Sequence, residues 1–465
     1  MSDAWRSIRL GDACLKVGSG ATPRGGKESY LKEGPVTLIR SQNVLNDRFS
    51  RAGLAYISDE QASLLNNVTV EPYDVLLNIT GDSVARCTQV DAEILPARVN
   101  QHVAIVRPDP QKLHARFLKY FLVAPQTQQH LLQLASAGAT RPALTKAMIE
   151  GLPVLAPVTV AEQRAIASVL GALDDKIELN RKICATLEAI AHALYKAWFV
   201  DFDPVRAKAE GRDTGLTPEL AALFPDRFEG SVMGEIPKGW AMHSLEEAVE
   251  VNPANSLAGI SETPYLDMAN VPTSGYSVGQ IISRPVSSGS RFRNGDTLFA
   301  RITPCLENGK TAFVDFLDEG QVGCGSTEFI VLRPRVPLPA EYGYLLARSE
   351  AFRSFAIAKM TGTSGRQRVP VDAIASFFTA LPPSVIVEAF AAVIQPSFKR
   401  ISAAHRESRM LANLRDALLP KLISGEIRVD DIEECADEEN SARHPNGLHQ
   451  YPTAQLDERS ARTET

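Results

Sequence analysis

The chain of 465 residues is short of the residue groupings that metal, redox and hydrolytic chemistry require. Its six cysteines (Cys14, Cys87, Cys184, Cys305, Cys324 and Cys435) are scattered, with no CxxC pair and no histidine beside them. That spacing argues against a zinc site and against a disulfide framework, and the expectation is reduced thiols. The eight histidines do not cluster. No apolar run is long enough to cross a bilayer, and Met1 to Gly20 lacks the basic-then-apolar pattern of a secretory signal, so a cytoplasmic location is expected. An excess of basic charge is also missing. The net charge of -6 excludes a chain coated in cations for nonspecific nucleic-acid binding, yet leaves room for a local basic face.

Catalytic signatures are equally scarce. Gly20-Ala21-Thr22-Pro23-Arg24-Gly25-Gly26-Lys27 comes nearest to a phosphate-binding loop. It has one residue too many before the lysine, and Glu28 stands where Ser or Thr would bind the metal. There is no GxSxG elbow, HExxH helix or EF-hand loop. Asn252-Pro253 lacks the Pro-aromatic pair with which an amino-methyltransferase grips a flipped base. Asp74 and Asp296 precede apolar strands, where a turn role outweighs acid-base chemistry. A binding scaffold fits these absences better than an enzyme.

What is present is a duplication. Residues 5 to 199 are echoed by residues 240 to 422 at an offset of about 225 positions. Asn43-Val44 answers to Asn270-Val271, and Asp74, Leu76 and Leu77 answer to Asp296, Leu298 and Phe299. Arg107-Pro108 recurs as Arg333-Pro334, Gly138 as Gly362, Leu155-Ala156-Pro157 as Leu381-Pro382-Pro383, and Leu187, Ile190 and Leu194 as Leu411, Leu414 and Leu418. With 44% hydrophobic residues the chain can bury two ordinary cores. Short strand-like runs at Val36 to Ile39, Val75 to Ile79 and Val103 to Val106 match runs at Tyr265 to Met268, Thr297 to Ile302 and Phe329 to Leu332, with a helix around Ala115 to Leu122. The expected fold is α+β: two similar domains at 1–155 and 236–383, without the strand-helix alternation of a doubly wound sheet.

Each copy runs into a long helix, at 156–203 and at 384–425. In the first, Ile166, Leu170, Leu173, Ile177, Asn180, Cys184, Leu187, Ala191, Leu194 and Trp198 follow four-three spacing, the seam of a coiled coil. Asn180 reads as a register-setting polar residue. The second seam keeps Phe390, Ile394, Ile401, Ala404, Leu411, Leu418 and Leu422, but Ser397, Ser408 and Arg415 interrupt it, and Pro396 marks a place to start or kink. At 1.5 Å per residue, Glu162 to Phe199 spans roughly 55 Å, about one and a half turns of B-DNA. Packing of each helix on its own domain is the simpler alternative to pairing. Residues 204–235 read as a linker with one short helix at Pro218 to Leu223 capped by Thr217, and 426–465 as a disordered acidic and polar tail.

The loops carry long polar side chains. In the first unit the candidates for DNA contact are Arg24, Lys27, Arg40, Asn43, Arg86, Gln101, Arg141 and Lys146, and in the second Arg301, Lys310, Arg366, Gln367 and Arg368. Arg grips guanine in two places and Asn or Gln does so with adenine, while Lys meets phosphates. An exposed Arg is usually only a solvated charge, and a Gly-containing loop usually only a connection. Gly138 to Lys146 and Gly362 to Arg368 rank first, because they hold equivalent places just before the run that leads to the helix.

The chain resembles the specificity subunits of type I restriction-modification systems. The resemblance rests on Trp5 to Asp12 with its echo Trp240 to Glu247, Gly-Ala-Thr-Arg-Pro-Ala-Leu at Gly138 to Leu144, Leu152 to Ile166 with Glu162-Gln163-Arg164, Ile183 to Asp203, and Leu411 to Ile427. It implies two target recognition domains, each reading half of a bipartite double-stranded DNA target, held apart by an antiparallel helix pair. It further implies docking of methyltransferase subunits, two in number, and of restriction subunits, with S-adenosylmethionine, ATP and Mg residing in those partners and no membrane involved. Ser384 to Glu388 lacks the Glu-Gln-Arg run, a departure that bears on the second docking site. The two units differ in their loops, so an asymmetric target is expected. Three alternatives stand beside this reading: the recognition subunit of a methyltransferase-only system, a two-domain enzyme with an unrecognised active site, and a coiled-coil scaffold that binds no DNA.

Overall fold

A computed structural model of the chain describes residues 5–137, 141–257, 259–286, 288–363 and 365–431. The chain divides into two compact units, residues 1–175 with 412–465, and residues 176–411. In the first, the strands are β1 (Trp5–Arg9), β2 (Cys14–Ser19), β3 (Val36–Ile39), β4 (Ala55–Ile57), β5 (Thr69–Val70), β6 (Val75–Asn78), β7 (Cys87–Gln89), β8 (Ala97–Val99), β9 (Val103–Pro108) and β10 (Pro153–Pro157). The helices are α1 (Asp59–Ser63), α2 (Ala115–Val123), α3 (Pro125–Ser136), α4 (Lys146–Glu150) and the opening turns of α5 (Val160–Phe199).

One antiparallel sheet has the order β2-β9-β6-β7 and a second the order β4-β3-β8-β5, in which β3 and β8 run parallel. β1 pairs separately with β10. β6 and β9 are apolar on both faces because the first sheet is an inner layer. Alternation sorts their side chains. Val75, Leu77, Ala104 and Val106 point to the helices, and Leu76, Val103 and Ile105 to the second sheet.

The second unit contains α6 (Asp203–Ala209), α7 (Pro218–Leu223), β11 (Phe228–Ser231), β12 (Gly234–Pro237), β13 (Ala241–Ser244), α8 (Leu245–Ala248) and β14 (Val249–Val251). Then come β15 (Glu262–Leu266), β16 (Ile282–Pro285), β17 (Ser290–Phe292), β18 (Thr297–Ala300), β19 (Thr311–Phe313), β20 (Gly323–Gly325) and β21 (Phe329–Pro334). It closes with α9 (Ala340–Arg348), α10 (Glu350–Ala358), α11 (Val371–Ala375), β22 (Phe378–Leu381) and most of α12 (Ser384–Ser424). Its sheets, β14-β21-β18-β19 and β16-β15-β20-β17, reproduce the first unit strand for strand, down to the parallel pair β15/β20 and the separate pair β13/β22. Two similar α+β domains, each followed by a long helix, are therefore what the duplication encodes.

Both copies carry one ion pair that the spacing did not announce. Asp74 is fully buried and takes Nε and Nη2 of Arg107 at 2.7 and 2.8 Å, and Asp296 takes the same atoms of Arg333 at the same distances. Each aspartate also accepts a backbone N–H three residues back, from Glu71 and from Arg293. The turn role holds, and the bidentate arginine completes it.

The helix pair is seen within each unit separately. In the second, Asn180 is buried and its amide donates to Glu407 Oε2 at 2.9 Å and Ser408 Oγ at 3.3 Å, while Cys184 faces the Ile401 carbonyl. As numbering rises on α5 it falls on α12, so the two run antiparallel. In the first, Ile166, Ala167 and Leu170 share a core with Leu419, Leu422 and Ile423. α12 starts at Ser384 and runs unbroken past Pro396, which corrects the expectation of a start there. Ile394 and Phe398 flank the proline and are buried, and their packing offsets the missing donor.

Two further boundaries differ from expectation. Residues 204–235 form more than a linker: besides α7, whose predicted Thr217 cap accepts the Leu220 N–H, they include α6 and part of a hairpin. Val205 and Phe224 are buried in the second unit's core, with Phe224 edge-on to Trp198 at 4.9 Å. The expected tail begins inside the first unit. Ile427 and Val429 pack on its core and Arg428 lies 3.8 Å from Glu162; residues beyond 431 are outside the described residues. The turn that precedes them needs Gly425, whose φ is 77° and where a Cβ would meet the Trp5 indole at 2.8 Å.

Candidate DNA interface

In each unit two loops beside the central strands are stitched together by the same backbone bonds. In the first, Gly81 N–H donates to the Pro142 carbonyl (3.1 Å) and Leu144 N–H to that of Ile79 (2.8 Å). In the second, Thr303 N–H donates to the Gln367 carbonyl (3.0 Å) and Val369 N–H to that of Arg301 (2.9 Å). Arg141 and Arg366, each one residue before the stitched carbonyl, thus hold equivalent exposed places. Gly138 to Thr140 and Ser364, which belong to the same two segments, lie outside the described residues.

In the first unit the loop after β3, the loop after β6 and His102 line an open cleft of about 460 Å³, to which Gln42, Thr80, Asp82, Ser83 and Arg86 contribute. Gln101 Nε2 lies 3.0 Å from His102 Nε2. Thr80 Oγ1 lies 2.6 Å from Nδ1 of the same ring, so both ring nitrogens are engaged. His102 and Asp82 were not among the sequence candidates. Thr80-Gly81-Asp82-Ser83 reads as an ordinary turn, and only the fold brings it beside Gln42 and Arg86.

The candidates divide into free and committed side chains. Arg24, Lys27, Arg86, Arg141 and Arg366 are exposed and, among the described residues, in no ion pair. Lys146 is exposed but lies 3.5 Å from Glu150 one turn on. Gln101 and Gln367 are half-buried, and Arg301 is half-buried with its Nε enclosed and without a hydrogen-bond partner.

Four others are occupied. Asn43 is fully buried: its amide donates to the carbonyls of Ser50 (3.0 Å) and Ala52 (3.1 Å) and accepts from Arg40 N–H (3.1 Å), so it cannot present an edge to a base. Arg40 donates to the Gly53 carbonyl at 2.6 Å and lies over the Tyr30 ring. Lys310 Nζ donates to the Met268 carbonyl at 2.6 Å. Arg368 makes a fork with Glu328 (2.7 and 3.0 Å), whose hydrogen bonds and charge hold its proton more tightly than usual. These residues shape the loops. Asn43 is withdrawn as a base reader by its burial, and Lys310 and Arg368 reach DNA only by giving up internal partners.

The helical candidates form the seam itself. Ile166, Leu170, Ile177, Asn180, Ile394 and Ile401 are buried, and Leu173, Leu187, Leu194, Leu411 and Leu418 half-buried. The Glu-Gln-Arg run proves local. Glu162 and Thr159 cap α5, Gln163 is buried and joins the Pro157 carbonyl (3.0 Å) to the His114 N–H (2.8 Å), and only Arg164 is exposed.

Residues 2–189 match the family described as the type I restriction modification DNA specificity domain. The chain is similar to type I specificity subunits. It is 24% identical to the HindI type I restriction enzyme specificity subunit of Haemophilus influenzae over 473 residues, covering 92% of this chain and 100% of that protein. It is 25% identical to the MjaIX specificity subunit of Methanocaldococcus jannaschii over 321 residues, 67% of this chain and 69% of that one. The crystal structure of a type I restriction-modification system S subunit from M. genitalium shares the fold, with a TM-score of 0.54 at 12% identity over 91% of this chain and 97% of that chain. The specificity-domain match ends within α5, and the second unit repeats the matched unit's strand order. Among the described residues no single helix is long and apolar enough to cross a membrane.

Proposed function

We propose that this specificity-subunit relative is the non-catalytic DNA reader of a cytoplasmic type I restriction-modification complex. Its first unit reads one half of a two-part target and its second unit reads the other. The observation that carries this is the stitched pair of loops, made by the same backbone bonds in both units and presenting an exposed arginine in each, Arg141 and Arg366. Loops held in this way place long donors at a fixed point, as base-edge readout needs. The helical regions dock the methyltransferase subunits, a restriction subunit joins the assembly, and S-adenosylmethionine, ATP and Mg belong to those partners.

The test is co-expression with the neighbouring methyltransferase and genome-wide mapping of methylated adenine. One two-part motif with a fixed gap and unlike halves is the expected result. Identical halves would contradict the asymmetry, and no new methylation from a stable complex would contradict DNA reading itself. Arg141→Ala should cost about 1 to 3 kcal/mol and relax one half-site only, whereas uniform weakening across all sequences would make it a phosphate contact.

A further inference from the structure

Asp82 sits in the turn Gly81–Ser83 that follows β6, exposed and lining the cleft of the first unit. Among the described residues no cation pairs with it, although Arg86 lines the same cleft. A carboxylate on a face that approaches DNA is unfavourable, because each phosphate repels it. It becomes favourable where it meets a donor. In the major groove the donors are the exocyclic amino groups, N4 of cytosine and N6 of adenine, and an acidic side chain accepting from cytosine is an established pairing.

The turn is also held firmly enough to aim its side chain. Gly81 N–H is fixed by the Pro142 carbonyl, Val84 N–H donates to the Gly81 carbonyl at 3.0 Å, and Arg86 N–H to that of Ser83 at 3.2 Å. An acceptor-only group and a donor-only group therefore share one cleft without neutralising each other. A base edge that shows both an amino group and ring acceptors is complementary to such a pair. The second unit has no counterpart, since Thr303 holds the place of Gly81 in the stitched bonds and Pro304 follows it.

We propose that Asp82 is a specificity-determining residue that accepts a hydrogen bond from an exocyclic amino group in the half-site read by the first unit. This rests on the reading of that unit as a DNA recognition domain. The experiment uses the chain in complex with its methyltransferase subunit. The probes are the duplex identified by methylation mapping, the same duplex with one half-site scrambled at a time, and duplexes with each pair of the first half-site substituted in turn.

Asp82→Ala should weaken binding to the intact target by roughly 5- to 140-fold, the worth of one good base contact. It should leave binding unchanged when the half-site read by the first unit is scrambled. Lost discrimination at one base pair names the base, cytosine or adenine. Asp82→Asn, which keeps an acceptor and adds a donor, should retain part of the affinity and shift the preference at that same pair.

A solvated acid that merely repels phosphates would give the opposite sign: Asp82→Ala would then bind every duplex more tightly, and the proposal would be overturned. Unchanged binding to all duplexes would overturn it as well. If the unsubstituted complex itself fails to distinguish intact from scrambled targets, the DNA-reading function falls and the proposal with it, a result separate from either outcome for the variants.

Discussion

The two units fasten the same kind of helix to α5 by different chemistry. In the first, Lys119 of α2 pairs with Asp174 of α5 at 2.8 Å and with Asp47 of the loop after β3. Arg415 of α12 pairs with the same two carboxylates, and Tyr120 donates to Asp174 Oδ2 at 2.6 Å. In the second, Tyr344 of α9 donates to Glu188 of α5, and His192 lies 3.7 Å from that carboxylate. Asp174 and Glu188 each follow a seam leucine, Leu173 and Leu187, so they occupy the same heptad position. One junction is two carboxylates shared by two bases, with Asp416 a third partner of Arg415. The other is a carboxylate held by a phenol, with aromatic rings around it: Tyr276, Phe313 and Phe398 all lie against Tyr344. The lesson is that a repeat conserves the place of an anchor while its chemistry is free to change, provided each set is complete in itself.

The comparison breaks most readily at the charged junction. Asp174→Ala leaves Lys119 and Arg415 in a mostly buried site with one carboxylate between them, and should destabilise the first unit by about 3 kcal/mol. Denaturant unfolding followed by hydrogen exchange should show lost protection in the first unit and little change in the second. Asp74→Asn and Asp296→Asn come next, at roughly 2 kcal/mol each, since each removes the charge that a bidentate arginine needs. Equal effects in the two units are expected here, in contrast to the junctions. Glu188→Gln should cost only about 1 kcal/mol, because a neutral amide oxygen still accepts from Tyr344. A loss as large as that at Asp174 would refute the distinction.

Acid sharpens the same contrast. Burial pushes Asp174 up, but Lys119, Tyr120 and Arg415 outweigh it and hold the carboxyl below its ordinary value; for Glu188, burial is likewise outweighed by His192 and Tyr344. Each group is depressed in the folded state, so its stabilisation is present above the ordinary values of 3.8 and 4.5 and is lost as pH falls below them. The first unit, with charge on both sides of its junction, should lose protection more steeply in that range. The smallest effect belongs to Asn180→Leu. Stability should change by less than about 1 kcal/mol, in either direction, while cross-linking between cysteines placed at 176 and 407 becomes less efficient as the register loosens.

Periodicity made the frame legible. Val36 to Ile39 and Pro218 to Leu223 are the observed β3 and α7, and the four-three stripe of α5 is the buried seam. What escaped the sequence was anything decided by partners far along the chain. Asp74 and Arg107 are ordinary residues until strand pairing of β6 with β9 sets them side by side. The stretch 204–235 reads as a linker because it is rich in Pro, Gly and charge, yet the buried Val205 and Phe224 are enough to seat it. Polar side chains gave the poorest guide. Arg86 and Arg368 look alike in sequence, and only Glu328 makes the second an internal strut. Asp82 belongs to none of the residue types, Arg, Lys, Asn and Gln, that mark the loop candidates in the sequence.

The burial of Asn43 bears on how genetic data for such a protein are interpreted. A screen for lost DNA recognition would return Asn43→Ala as readily as a true contact, since releasing the carbonyls of Ser50 and Ala52 lets the loop that carries Gln42 collapse. The two classes part company on heating: a lost contact leaves the melting temperature of the free chain untouched, and a lost strut lowers it. Phenotype alone would place the reading surface one residue too deep.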